Sequence, residues 1–171
     1  MRKIIVLTFT VLVIFFSGFL TRQLLPSKHA ESITMKKVTG IGGVFFKCKD
    51  REKVKEWYSK HLGLKMDQYG TSFEWRQGDD PSKYEITQWS AFSDSTKYFD
   101  PSVKEFMINY RVQDLERLVI ELKRDGVMIV DSIESFDYGK FVHILDNEGN
   151  KIELWEPVEA EYDKIIKART K

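Results

Sequence analysis

Apolar residues recur along this chain with two periods. Alternating stretches, in which successive side chains fall on opposite faces of an extended strand, cover 43–48, 65–69, 72–76 and 84–92, and again 106–112, 128–133, 140–145 and 150–156. Between the first and second stretch of each set stands a helical period. Val54, Trp57, Tyr58 and Leu62 follow Asp50 and stop at Gly63, while Leu115, Leu118, Val119 and Leu122 follow Asp114 and stop at Gly126. Asp at a helix start accepts from the free N–H groups of the first turn, and Gly past the end takes left-handed backbone, so each run predicts a capped amphipathic helix. Residues 38–157 therefore predict β-α-β-β-β twice, an α+β fold, with 93–102 as the link. Residues 158–171 form a charged tail with a short helix through Tyr162, Ile165 and Ile166.

Ahead of this domain the pattern changes. Residues 4–20 carry no charge and are flanked by Arg2, Lys3 and Arg22. About 17 residues at 1.5 Å each span roughly 25 Å, close to the hydrocarbon core of a bilayer. Residues 1–22 thus predict a single-pass membrane anchor with the domain outside the cytoplasm; a cleaved signal and a secreted domain are the alternative. Residues 23–37 read as a tether, and Met35 could serve as an alternative start.

Composition narrows the function. An apolar fraction of 42% with 13% aromatic residues suits a globular core, and a net charge of +1 gives no field to collect nucleic acid. Cys48 is the single cysteine, so no intramolecular disulfide is available. There are three histidines, of which His29 lies in the tether and His61 at a helix C-terminus; His143 remains.

The densest chemistry lies in the last hairpin. Ile152 and Leu154 alternate with Lys151, Glu153 and Trp155, which puts a carboxylate beside an indole on the opposite face. A buried carboxylate must be paired, hydrogen-bonded or coordinating. The same alternation turns Phe45, Asn109, Arg111 and His143 inward. It also sets Glu85, Thr87 and Trp89 on the fourth strand of the first half, matched to Lys151, Glu153 and Trp155.

The segment Asp146-Asn147-Glu148-Gly149-Asn150-Lys151-Ile152-Glu153-Leu154 resembles the ending of the glyoxalase/bleomycin-resistance/dioxygenase, or vicinal-oxygen-chelate, superfamily: Asp-Pro-x-Gly-Asn-x-Ile-Glu-Leu, with Asn147 at the Pro position. The resemblance implies two modules closing a curved sheet around a central cavity with the helices outside. In metal-using members the Glu of this tripeptide is a ligand, and the four ligand positions would fall on Gly43, Glu85, Met107 and Glu153. Gly43 and Met107 offer a hard cation no donor, which leaves Glu85 and Glu153 with His143 as a third candidate.

Three functions follow as expectations. The first is a protein binding a small molecule against Phe45, Trp89, Asn109, Arg111, His143 and Trp155 without the full metal site. The second is a lyase or isomerase of glyoxalase type, or a dioxygenase, using a divalent metal ion with Glu85 and Glu153 as catalytic carboxylates. The third is a membrane-tethered interaction domain. The cofactor is accordingly none or one divalent ion, and the resemblance implies a homodimer as one option, since modules of this kind often pair, while the sequence leaves the oligomeric state open. For Glu85 and Glu153, a carboxylate that only hydrogen-bonds to its neighbours stands beside each of these readings.

Overall fold

The computed structural model describes residues 37–78 and 80–169. The anchor expected at residues 1–22, most of the tether and the alternative start at Met35 lie outside them. Among the described residues no helix is long and apolar enough to cross a membrane.

The order is β1 (Val38–Cys48), α1 (Arg51–Leu62), β2 (Thr71–Arg76), β3 (Tyr84–Ser93), β4 (Phe106–Val112), α2 (Leu115–Arg124), β5 (Met128–Ile129), β6 (Glu134–Phe136), β7 (Gly139–Leu145), β8 (Lys151–Pro157) and α3 (Glu159–Arg169). The strands form one mixed sheet in the order β2-β3-β1-β4-β8-β7-β5, with β6 beside β7. Its centre is the antiparallel pair β1/β4, in which Val44 meets Ile108. Outward from that pair, β3 lies parallel to β1 and β8 parallel to β4.

Two expected strands differ. Residues 65–69 are not a strand: the Asp67 carboxylate accepts from the N–H groups of Tyr69 and Gly70 at 2.7 and 2.9 Å, and this local turn removes those donors from a ladder. Of residues 128–133 only Met128 and Ile129 are strand, as β5; beyond them Asp131 accepts from the His143 N–H, and a separate short strand, β6, follows at Glu134–Phe136.

The main core is α2 on the sheet. Leu115, Leu118 and Val119 pack with Val112, Val142, Ile144 and Leu154, all at most 8% exposed. Burying such side chains contributes about 1.5–3 kcal/mol each. By contrast α1 buries none of its residues, and Trp57 and Leu62 stay 52% and 58% exposed. The expected apolar face of α1 is therefore only partly used.

The caps also differ. Asp50 accepts from the Lys53 N–H at 3.0 Å, as expected, and Gly63 takes φ 70°. Asp114 makes no side-chain cap bond and itself sits at φ 52°. Its place is taken by Glu156 of β8, whose two carboxylate oxygens accept from Asp114 N at 2.8 Å and Leu115 N at 3.1 Å. Glu156→Ala is expected to lower stability by about 1 kcal/mol, whereas Asp114→Asn, which tolerates the same backbone, should leave it unchanged; urea denaturation of the two variants checks the ranking.

Candidate functional site

Strands β4, β8 and β7 show one face to α2 and the other to a polar group of side chains. Alternation sends Tyr110, Val112, Val142, Ile144, Ile152 and Leu154 to the helix, and leaves Asn109, Arg111, Phe141, His143, Glu153 and Trp155 on the opposite face. Register aligns them in pairs: Asn109 beside Glu153, Arg111 beside Trp155, His143 beside Glu153 and Phe141 beside Trp155.

Glu153 is the centre of the first group. It is 3% exposed and accepts from the Tyr98 hydroxyl, the Asn109 amide and His143 Nε2, the last at 3.0 Å. The other ring nitrogen of His143 lies 2.6 Å from Asp131 Oδ2, and the His143 N–H donates to Asp131 Oδ1 at 2.8 Å. Lys151 Nζ donates to the Tyr98 carbonyl at 2.6 Å. Burial raises the cost of charge on Glu153, yet the donors from His143, Tyr98 and Asn109 outweigh it and hold its pKa below the usual carboxylate range. Burial likewise opposes an imidazolium at His143, but Glu153 and Asp131 outweigh it and raise its pKa. Burial first, then the Glu153 charge and hydrogen bond, push the Tyr98 phenol up.

The second group surrounds Arg111, two residues along β4. Arg111 Nη2 lies 2.9 Å from Glu85 Oε1 and 2.5 Å from Glu159 Oε1, and Gln77 Nε2 donates to Glu85 at 2.5 Å. Arg111 and Glu85 are 2% and 1% exposed. Burial raises the Glu85 pKa, with Gln77 and Arg111 working the other way.

Gly42 lets β1 pass close to both groups. A Cβ there would fall 2.2 Å from Asn109 Oδ1 and 2.8 Å from Trp155 Cε3. The run Gly40-Ile41-Gly42-Gly43 is thus a close-approach element.

The expected site residues divide as follows. Asn109, His143 and Glu153 come together; Arg111 joins Glu85; Trp155 stacks on Phe141 at 6.0 Å. Phe45 packs against Phe92, which stacks on Tyr98. Trp89 does not join them: its ring lies against Phe46 and Tyr58 of α1, at 4.9 and 4.7 Å. The reason is register. Val44 pairs with Trp89 and Phe45 with Ser90, as Ile108 pairs with Ile152 and Asn109 with Glu153. Ser90, and neither Thr87 nor Glu85, therefore occupies the place on β3 that Glu153 holds on β8. Tyr98 and Asp131 went unmarked because both lie in loops, where no periodicity singles them out.

The divalent ion implied by the resemblance does not fit these residues. Glu85 already pairs with a guanidinium, Glu153 is held by three donors, both His143 nitrogens face carboxylates, and Gly43 and Met107 supply no hard donor. Among the described residues no three His, Cys, Asp or Glu side chains converge on a common point. An open depression of about 420 Å³ lies apart from this face, between the end of α2 and the β7/β8 turn, lined by Leu122, Val127, Met128 and Asn147 among others.

A pH dependence follows from the His143 pair. A raised histidine pKa contributes stability that is complete below the free value of 6.5 and is lost as pH rises through the folded value. Wild type is therefore expected to lose stability relative to His143→Gln as pH rises above the free value of 6.5, and parallel curves from denaturant titrations at each pH would count against the pair.

No protein-family model matches the chain, and no curated protein matches it. Among solved structures the chain is similar to methylmalonyl-CoA epimerase from Mycobacterium tuberculosis, with 25% identity and a TM-score of 0.50 over 76% of this chain and 96% of that one. Methylmalonyl-CoA epimerase from Streptomyces coelicolor, as a single-residue variant in complex with 2-nitronate-propionyl-CoA, matches with 13% identity and a TM-score of 0.54 over 71% and 99%. A glyoxalase/bleomycin resistance protein/dioxygenase superfamily member from Vibrio splendidus matches with 13% identity and a TM-score of 0.44 over 66% and 95%.

Proposed function

For a chain with the vicinal-oxygen-chelate fold, we propose a small-molecule-binding domain that works without a metal ion, its sheet curving around the ligand so that the face of Asn109, Arg111, Glu153 and Trp155 forms the inner wall. One observation carries this reading. Glu85 Oε2, Asn109 Oδ1, Arg111 Nε and Trp155 Nε1 are all buried without a partner in the protein. Each such atom costs about 1–3 kcal/mol, and native interiors hold few of them, so three on the neighbouring strands β4 and β8, with a fourth on Glu85 of β3 beside Arg111, support hydrogen bonding to a guest. The stacked Phe141 and Trp155 rings supply its apolar part.

Binding is favoured over the proton-transfer chemistry of an isomerase by the state of Glu153. A carboxylate stabilised by three donors is a weak base, whereas a general base needs a pKa near the working pH. The epimerase likeness is therefore carried over as architecture and not as activity. The proposal also sets the domain at a membrane through residues 4–20; release into the soluble fraction on alkaline extraction of expressing cells would count against that part.

The test is purification without chelators, metal analysis, and a fluorescence screen against small aromatic and amphipathic compounds. Substoichiometric metal together with ligand quenching that disappears in Trp155→Phe supports the proposal. Stoichiometric metal whose removal abolishes binding overturns it.

A further inference from the structure

Helix α3 brings two side chains onto the polar face. Glu159 Oε1 lies 2.5 Å from Arg111 Nη2, although the Glu159 side chain is 56% exposed. Tyr162 follows on the same helix face and is 4% exposed. Its hydroxyl accepts from Ile86 N at 3.1 Å and donates to Ile86 O at 3.4 Å, and its ring stands edge-on to Trp155 at 5.0 Å. A carboxylate on a guanidinium and a phenol against an indole are thus supplied by the chain itself.

We propose that Arg111, Trp155 and Phe141 form a subsite for an aromatic carboxylic acid, and that Glu159 and Tyr162 hold this subsite as an internal stand-in until a ligand displaces them. This rests on the metal-free binding reading above and names its ligand class. Arg111 fits a carboxylate because its planar guanidinium donates two parallel N–H bonds to the two oxygens, and its Nε–H has no partner in the protein. The stacked Phe141/Trp155 pair offers a face to a ring of the size Tyr162 presents. Displacement is feasible because an isolated helix as short as α3 is marginal in water, so its docking depends on these side chains. Its effective concentration at the subsite, on the order of millimolar for a short link, weakens the apparent affinity of any free competitor.

The experiment uses the full chain and 4-hydroxyphenylacetate as probe, with 4-hydroxyphenethyl alcohol as the uncharged control, titrated by calorimetry. Glu159→Gln and Tyr162→Ala should each bind the acid roughly tenfold tighter than wild type, the alcohol should bind at least about tenfold more weakly than the acid, and the acid should speed trypsin cleavage after Lys164 in wild type. Glu159 is exposed, so Glu159→Gln tests the idea even if Tyr162→Ala unfolds. Equal or weaker binding by Glu159→Gln, or equal binding of acid and alcohol, overturns the inference. In that event metal-free binding of another ligand class would leave the broader reading standing, and a metal requirement would remove both.

Discussion

Glu153→Ala is expected to destabilise the fold by about 3–5 kcal/mol, because it removes the acceptor shared by Tyr98, Asn109 and a His143 whose charge then has only Asp131. For a domain of this size that shifts the melting temperature by more than about 10 °C. Glu153→Gln keeps the shape and one acceptor oxygen but loses the charge, so its loss should be smaller and should shrink further as pH rises and His143 gives up its proton. Melting curves of the two variants across pH separate these effects. A carboxylate that merely filled space would give equal losses for Gln and Ala at every pH.

Arg111→Met is the second large effect, again about 3–5 kcal/mol at neutral pH. The Glu85 carboxylate would be left buried beside Gln77 alone, and its pKa is already raised by burial. Two recoveries are expected. Acid should restore part of the loss by protonating Glu85, since the variant's folded state then binds a proton more tightly than the unfolded chain does. Adding Glu85→Gln should restore part of it at neutral pH, giving a coupling energy of at least about 1 kcal/mol in a double-mutant cycle. Additive losses would show that the 2.9 Å pair is not the reason Arg111 is buried.

Much of this face was legible from alternation alone. The hairpin of β7 and β8 follows from Asp146 to Asn150 between two alternating runs, and within it Leu154 goes to the core and Glu153 to the opposite face. His143 follows because Val142 and Ile144 flank it. The interval between Asp50 and Asp114 is the one that relates Val44 to Ile108, the pair on which the sheet is centred. What could not be read is the register of β3 against β1. It depends on the length of the turns around β2, and an odd slip exchanges the faces of every residue in a strand. That slip moved Trp89 to α1 and made Thr87 look like the counterpart of Glu153. Tyr98 and Asp131 were missed for another reason: loop residues are placed by long-range bonds, here to Glu153 and His143, which no local pattern announces.

The Glu156 cap has one further consequence. Strand β8 holds the buried Glu153 and Trp155 on one side, and at its next residue fastens the opening turn of α2. Occupancy of the sheet face should therefore quiet the strand and slow solvent exchange of the amide protons of Asp114 and Leu115 on the far side of the sheet. The helix would then report binding that it never touches.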